Sequence, residues 1–229
     1  MFKRIIDIFI SLAVIIIFLP FIALVLLYVF LITGDNPLLF QERKISLDKK
    51  GFKIIKIRTI RNSKEFLELE CNSTEIFIKA GYDKFVPAFC RWLRKSGLDE
   101  ILQVINILKG EMSFVGPRPI LTADLLKMEN EENEYYKRRT KINAKPGLTG
   151  YWQVFGERIK GTENLIELDE KYEKERSFKF DLKIIARTFL IFATASHSDS
   201  IITGKGGMNK LKARNIKIRA NRLLSIPEY

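Results

Sequence analysis

The sequence predicts an α+β, mostly helical protein joined to a membrane by its N-terminal helix, with a small β-hairpin and amphipathic helices at the membrane interface. Three observations carry that reading. An uncharged run of 25 residues, Ile8 to Ile32, follows Lys3, Arg4 and Asp7, and such a run is long enough to cross a hydrocarbon core of roughly 30 Å. Two short strand-like runs flank the turn Asp48-Lys49-Lys50-Gly51. Beyond them, apolar residues recur mainly at helical spacing.

Composition narrows the partners. The 229 residues carry a net charge of +12 with a pI near 9.6, which points to nucleic acid, anionic lipid or phosphorylated substrates. Cys71 and Cys90 form no metal-ligand pattern and read as free thiols of a reducing compartment. The single histidine, His197, anchors neither a histidine metal site nor a triad. No internal repeat or low-complexity block interrupts the chain.

The apolar N-terminal run is too long for a cleaved signal peptide, and no small-x-small cleavage site follows it. Pro20, near its centre, removes a helical hydrogen bond and predicts a kink. Two membrane topologies compete. A straight span puts Lys3 and Arg4 across the bilayer from the basic cluster 43–61; a helix that turns at Pro20 keeps both on the cytoplasmic side, as the positive-inside rule prefers. Asp7 is expected at headgroup level. Gly34-Asp35-Asn36-Pro37 ends the segment as a turn.

Leu38 to Lys44 and Phe52 to Arg58 then read as the strands of a hairpin. Residues 43–61 hold eight basic side chains against one acid, Asp48, a pattern that suits a solvated face, anionic headgroups or substrate phosphates. Phe85 to Arg94 is apolar with a basic end. Leu121 to Tyr136 reads as one acid-rich helix, and residues 163–194 as further helices, the second suited to the membrane surface. Tyr151, Trp152 and Phe155 read first as core. Residues 205–222 are basic and carry no acid.

The stretch from Ser96 to Pro119 organises the rest. Leu98, Ile101, Leu102, Ile105 and Leu108 define an apolar stripe, with Asp99, Gln103 and Asn106 aligned on another face. Ser96 is expected to cap this helix and Gly110 to stop it. Asp99 and Glu100 fall in the first turn, where the dipole and free N–H groups favour negative charge. Ser96-x-x-Asp99 also fits a simple capping box. The exit argues for more. Pro117 and Pro119 frame Arg118, and a rigidly held guanidinium suits bidentate grip on a phosphate. Lys145-Pro146-Gly147-Leu148-Thr149-Gly150 is a second turn, whose glycines let backbone come close to a ligand and whose N–H groups suit an anion.

Together these pieces resemble the bacterial monotopic phosphoglycosyl transferases, also called bacterial sugar transferases. The likeness runs from Lys3 to Ile191. It rests on Lys3-Arg4-x-x-Asp7, Pro20, Gln41-Glu42-Arg43, Phe52-Lys53-Ile54-x-Lys56-x-Arg58-Thr59, and Leu93-Arg94-Lys95-x-x-Leu98-Asp99-Glu100-x-x-Gln103-x-x-Asn106-x-x-Lys109-Gly110. Ser113-x-Val115-Gly116-Pro117-Arg118-Pro119 and Lys145 to Gly150 complete it. The sequence departs from the family at Leu19, where Ser usually precedes the membrane proline. It also has Gln103 where Pro is usual, and Tyr151-Trp152-Gln153-Val154-Phe155-Gly156 in place of Trp-Ala-Gln-Val-Asn-Gly.

The resemblance implies a re-entrant membrane helix over 1–36 kinked at Pro20, a cytoplasmic catalytic domain over 37–195 and a basic tail over 196–229. It implies a monotopic enzyme on the cytoplasmic face of the bacterial inner membrane. Its reaction would move a sugar-1-phosphate from a UDP-sugar to undecaprenyl phosphate and release UMP, initiating surface polysaccharide or glycoprotein glycan assembly. Asp99 would be the nucleophile, forming a phosphosugar-aspartyl intermediate, and Asp99 and Glu100 would hold Mg²⁺. Arg94, Arg118 and Lys145 would bind substrate phosphate. A membrane-anchored nucleic-acid binder would explain the charge but neither Asp99-Glu100 nor the framed Arg118. The sugar and the oligomeric state, a homodimer included, stay open.

Overall fold

A computed structural model describes residues 2–61, 63–65, 82–156 and 161–193. Cys71, His197, the basic tail and most of residues 61–82, a polar and mixed run by sequence, lie outside the described residues. Among those described, helices predominate, with two small sheets.

The first helix, α1 (Phe2–Thr33), runs 32 residues with Pro20 inside it and is long and apolar enough to cross a membrane. One flank is buried: Ile22, Val25 and Val29, at helical spacing, pack against Ile57, Val86, Cys90 and Leu93. The other flank, with Phe9, Ile16, Ile17, Leu24 and Leu31, is exposed. Asp7 is buried against the rest of the protein, and its carboxylate accepts from Ser113 Oγ at 2.8 Å and the Phe114 N–H at 3.2 Å.

The hairpin forms as expected from β1 (Leu38–Lys44) and β2 (Phe52–Ile57), paired antiparallel with Leu39 opposite Lys56, Gln41 opposite Ile54 and Arg43 opposite Phe52. Directly paired residues share a face, so Gln41, Arg43, Ile54 and Lys56 look the same way. The short β4 (Ile120–Leu121) adds to the free edge of β1, giving the order β2-β1-β4. Sequence alternation cannot reveal a strand of two residues.

The central stretch differs from the single capped helix the periodicity suggests. Ser96 closes the preceding helix, α2 (Ala88–Ser96), and its hydroxyl donates back to the Leu93 carbonyl at 3.0 Å. Gly97 then takes a left-handed conformation (φ 75°), the usual way a glycine ends a helix. A 3₁₀ turn follows over Leu98–Gln103, then α3 (Val104–Lys109), which ends at Gly110 with φ 84°. Both faces are covered. Asp99, Glu100, Gln103 and Asn106 are as buried as Ile101, Leu102 and Ile107.

Asn106 explains part of that burial. Its Nδ2 donates to the Lys53 carbonyl and to Glu111 Oε2, and its Oδ1 accepts from the Ile55 N–H at 3.3 Å. One amide thus clamps β2 onto α3.

The two glycine-proline motifs meet as the parallel pair β3 (Ser113–Val115) and β5 (Gly147–Thr149). A Cβ on Gly116 would lie 2.1 Å from the Lys145 carbonyl oxygen, and one on Gly147 would lie 2.1 Å from the Gly116 nitrogen. The backbone these glycines admit is therefore protein rather than ligand. The Gly147 N–H is also used, donating to the Pro117 carbonyl at 2.9 Å.

The acid-rich stretch is two helices, α4 (Thr122–Glu131) and α5 (Asn133–Thr140), separated where Glu132 leaves helical geometry (φ −134°, ψ 48°). After the short α6 (Tyr151–Phe155), α7 (Gly161–Glu175) and α8 (Phe178–Ala193) finish the described fold. Ile120, Leu125, Met128, Tyr136, Trp152, Leu165 and Ile166 form the core beneath them. On α8, Phe178, Leu182, Phe189 and Leu190 stay exposed.

Candidate active site

Three elements converge on the Asp99-Glu100 turn. The hairpin supplies Lys56, whose ammonium donates to Glu100 Oε1; their side chains are 13% and 11% exposed. Arg94 comes from the last turn of α2 and donates to Thr59 Oγ1 at 2.9 Å. Arg43 shares the Lys56 face of the hairpin and donates to Gln41 Oε1 at 2.9 Å. Arg118 arrives from the proline-framed loop between β3 and β4.

The electrostatics are those of a crowded site. Burial and the neighbouring Glu100 raise the Asp99 carboxyl to about 6, against the pull of Arg94 and Lys56. Burial lowers the Arg43 guanidinium to about 10, with Arg118 adding repulsion. Burial likewise lowers the Lys56 ammonium against the pull of Glu100, with Arg43 and Arg118 repelling it. Burial is the larger cause for both groups, and repulsion among the cations adds to it. The buried Nε–H groups of Arg43 and Arg94 have no acceptor among the described residues. A buried donor left unpaired costs about 1–3 kcal/mol, and anionic oxygens entering the site would relieve both that cost and the repulsion.

Arg118 is fixed from behind. Its carbonyl accepts from Arg139 Nη2, and its guanidinium lies 5.5 Å from the centre of the buried Trp152 ring, within cation–π range. Arg139 also donates to the Ile45 carbonyl at 2.9 Å and to Asp169 Oδ2. The Arg139 and Asp169 side chains are fully buried, so the loop is tied to α5 and α7 through one guanidinium.

Lys145 stands apart. Its ammonium donates to the Gly110 carbonyl at 2.8 Å, at the far end of α3 from the Asp99 turn. The structure therefore brings together Asp99, Glu100 and Arg94, sets Arg118 beside Arg43 and Lys56, and leaves Lys145 elsewhere. No cluster of three or more histidine, cysteine or carboxylate ligands occurs among the described residues.

Comparison with known proteins decides the family. The bacterial sugar transferase profile matches residues 1–195. The chain belongs to the bacterial sugar transferase family. The UDP-galactose-lipid carrier transferase of Erwinia amylovora is 36% identical over 197 residues, which cover 81% of this chain and 39% of that protein. The undecaprenyl-phosphate galactose phosphotransferase of Salmonella typhimurium is 34% identical over 195 residues, again 81% of this chain and 39% of the relative. The exopolysaccharide production protein ExoY of Rhizobium meliloti is 30% identical over 196 residues, 82% of this chain and 84% of ExoY. The chain thus spans about two fifths of the first two relatives and most of the third.

For this sugar transferase, several site groups escaped sequence reasoning. Lys56 and Arg43 sat within the basic hairpin, but only the register shows that they share a face. Arg139 was one of three consecutive basic residues, Lys137-Arg138-Arg139, and Asp169 one acid in an amphipathic helix. Their local patterns match solvent-facing charge, and no short-range signal marks them as a buried pair.

Proposed function

We propose that this bacterial sugar transferase moves a sugar-1-phosphate from a UDP-sugar to undecaprenyl phosphate and releases UMP, through a phosphosugar-aspartyl intermediate on Asp99. The observation that carries the reading is a buried carboxyl, raised to about 6, beside three cations, Lys56, Arg94 and Arg43, of which the two arginines keep unused donors. The relatives' names, which include a galactose phosphotransferase acting on undecaprenyl phosphate, point the same way.

In this mechanism an Asp99 carboxylate oxygen attacks the sugar-bearing phosphorus, and the bond to the uridylate oxygen breaks, freeing UMP. An oxygen of the polyprenyl phosphate then attacks the same phosphorus. The acyl-phosphate bond breaks, the carboxylate returns, and a polyprenyl diphosphate sugar leaves. Arg94, Arg43 and Arg118 hold phosphoryl oxygens and offset charge gathering on them. Lys56 pairs with Glu100 and orients it beside Asp99.

Two adjacent buried carboxylates suit Mg²⁺, which takes one or two protein carboxylates and shares its remaining positions with phosphates and water. Asp99 and Glu100 would hold it, and bound there it would supply charge neutralisation to the diphosphate.

The re-entrant, monotopic arrangement on the cytoplasmic face of the inner membrane belongs to the same proposal. It is supported by both ends of α1 docking on one domain. Near the start, Asp7 binds Ser113 and Phe114, and near the end the Arg61 guanidinium donates to the Ile32 carbonyl at 2.8 Å. Contacts at both ends favour a helix whose two ends stay on one face of the bilayer.

The test is a single-turnover reaction of the purified full-length protein with Mg²⁺ and a panel of UDP-sugars, without acceptor. Stoichiometric UMP release with a phosphosugar mass adduct on residue 99, both lost in Asp99→Asn, is the expected result. Sustained turnover with acceptor but no adduct on residue 99 would overturn the mechanism.

A further inference from the structure

A second basic pocket lies where α1 begins, and none of Asp99, Glu100, Lys56, Arg43, Arg94 or Arg118 lines it. It encloses about 530 Å³, and Lys3, Arg4, Lys145 and Arg176 face it against two carboxylates, Asp7 and Asp181. The carboxylates are already engaged. Asp7 binds Ser113 and Phe114, and Asp181 takes Lys3 at 2.6 Å and the Tyr172 hydroxyl at 2.8 Å.

Arg4 and Lys145 are left with carbonyls only. Arg4 donates to the Ile107 and Leu108 carbonyls, the second at 2.7 Å, and Lys145 to that of Gly110. Among the described residues neither has a carboxylate partner. Their charged heads also converge: a Cβ on Gly110 would lie 3.4 Å from Arg4 Nη2 and 3.8 Å from Lys145 Nζ. The C-terminal dipole of α3 balances about half a charge, far less than two cations bring.

The rim is apolar. Phe2 and Phe178 meet edge to face at 5.6 Å and are 65% and 49% exposed. They continue the exposed flank of α1 through Ile5 and Phe9.

We propose that this pocket binds the phosphate of a lipid, with Arg4 and Lys145 on its oxygens and the hydrocarbon leaving past Phe2 and Phe178 along α1. The site is separate from the Asp99 turn and does not depend on the transfer chemistry. Two sources share the chemistry: an anionic phospholipid of the bilayer and a polyprenyl phosphate.

Native mass spectrometry of the full-length protein in detergent tests it, with phosphatidylglycerol, undecaprenyl phosphate and dodecyl maltoside alone as probes. Each cation near a lipid surface contributes about 1 kcal/mol, so Lys145→Gln is expected to weaken lipid-phosphate binding about fivefold and Arg4→Gln/Lys145→Gln about 25-fold. Lys145→Arg should restore most of it, and Asp99→Asn should bind phosphatidylglycerol like the parent. Preference for phosphatidylglycerol assigns the site to the bilayer, and preference for undecaprenyl phosphate to the carrier. Equal binding of both lipids by the parent and by Lys145→Gln, a change at an exposed side chain, would reduce both cations to caps of α3 and overturn the proposal.

Discussion

Lys56 and Glu100 lie 44 residues apart and form an ion pair with both side chains nearly buried. The pair joins the hairpin to the turn that carries Asp99, so the environment of the proposed nucleophile depends on a strand distant in sequence. Removing one partner of a buried pair leaves an uncompensated charge and costs about 3–5 kcal/mol. Lys56→Met should therefore lower the denaturant midpoint of the full chain without changing its slope, and Lys56→Arg should recover most of the loss. A midpoint unchanged in Lys56→Met would show that the pair contributes nothing to the fold.

The acid limb of activity should fall near pH 6. Attack needs the Asp99 carboxylate, and burial with Glu100 holds that carboxyl at about 6. Lys56 pulls it down, so Lys56→Met is expected to move the limb to higher pH. Initial rates of UMP release from pH 5 to 9 measure both positions. A limb at the ordinary carboxylate value near 4 would show that the charges present during turnover cancel the effect of burial on Asp99.

Stability and activity should oppose each other at this residue. A carboxyl with a raised pKa binds its proton more tightly folded than unfolded. Its stabilising contribution is complete below the unfolded value of 3.8 and declines as pH rises through about 6. Asp99→Asn removes the buried charge, so it should raise the melting temperature at pH 8 by a few degrees while lowering turnover by about 10⁴-fold or more. A capping role would predict the reverse for stability, a loss of about 1 kcal/mol.

Asp169→Ala should be among the most damaging substitutions outside the Asp99 turn. It strands the fully buried Arg139 and loosens the Arg118 carbonyl that Arg139 holds. The expected loss is again about 3–5 kcal/mol, read by urea unfolding, with a higher KM for the UDP-sugar as the Arg118 loop relaxes.

Cysteine labelling tests the membrane arrangement. In a Cys71→Ser, Cys90→Ala background, Phe2→Cys and Lys50→Cys, both exposed, should react with a membrane-impermeant maleimide from the same side of inverted vesicles. Labelling from opposite sides would restore the straight span.

Much of the fold was legible because local physics decides it. The 25-residue apolar run, the hairpin around Asp48 to Gly51, the stop at Gly110 and the helices after residue 160 each follow from composition or spacing. The reading failed where tertiary contact reassigns a local motif. Ser96 looked like a helix cap but closes the helix before it, because Gly97 reverses the chain. Glycines 147 and 150 looked like a ligand cradle but admit the Gly116 backbone. Lys145 was expected to bind substrate phosphate with Arg94 and Arg118 but stands at Gly110 with Arg4.

The sequence by itself determined the long apolar helix, the family, and the acidic pair with its proline-framed arginine, since each is written in consecutive residues or short spacings. Only the tertiary structure decided which cations surround Asp99 and which do not. Charged side chains spread over 43–145 look alike along the chain, and burial, register and backbone reversals alone choose which of them share one small volume.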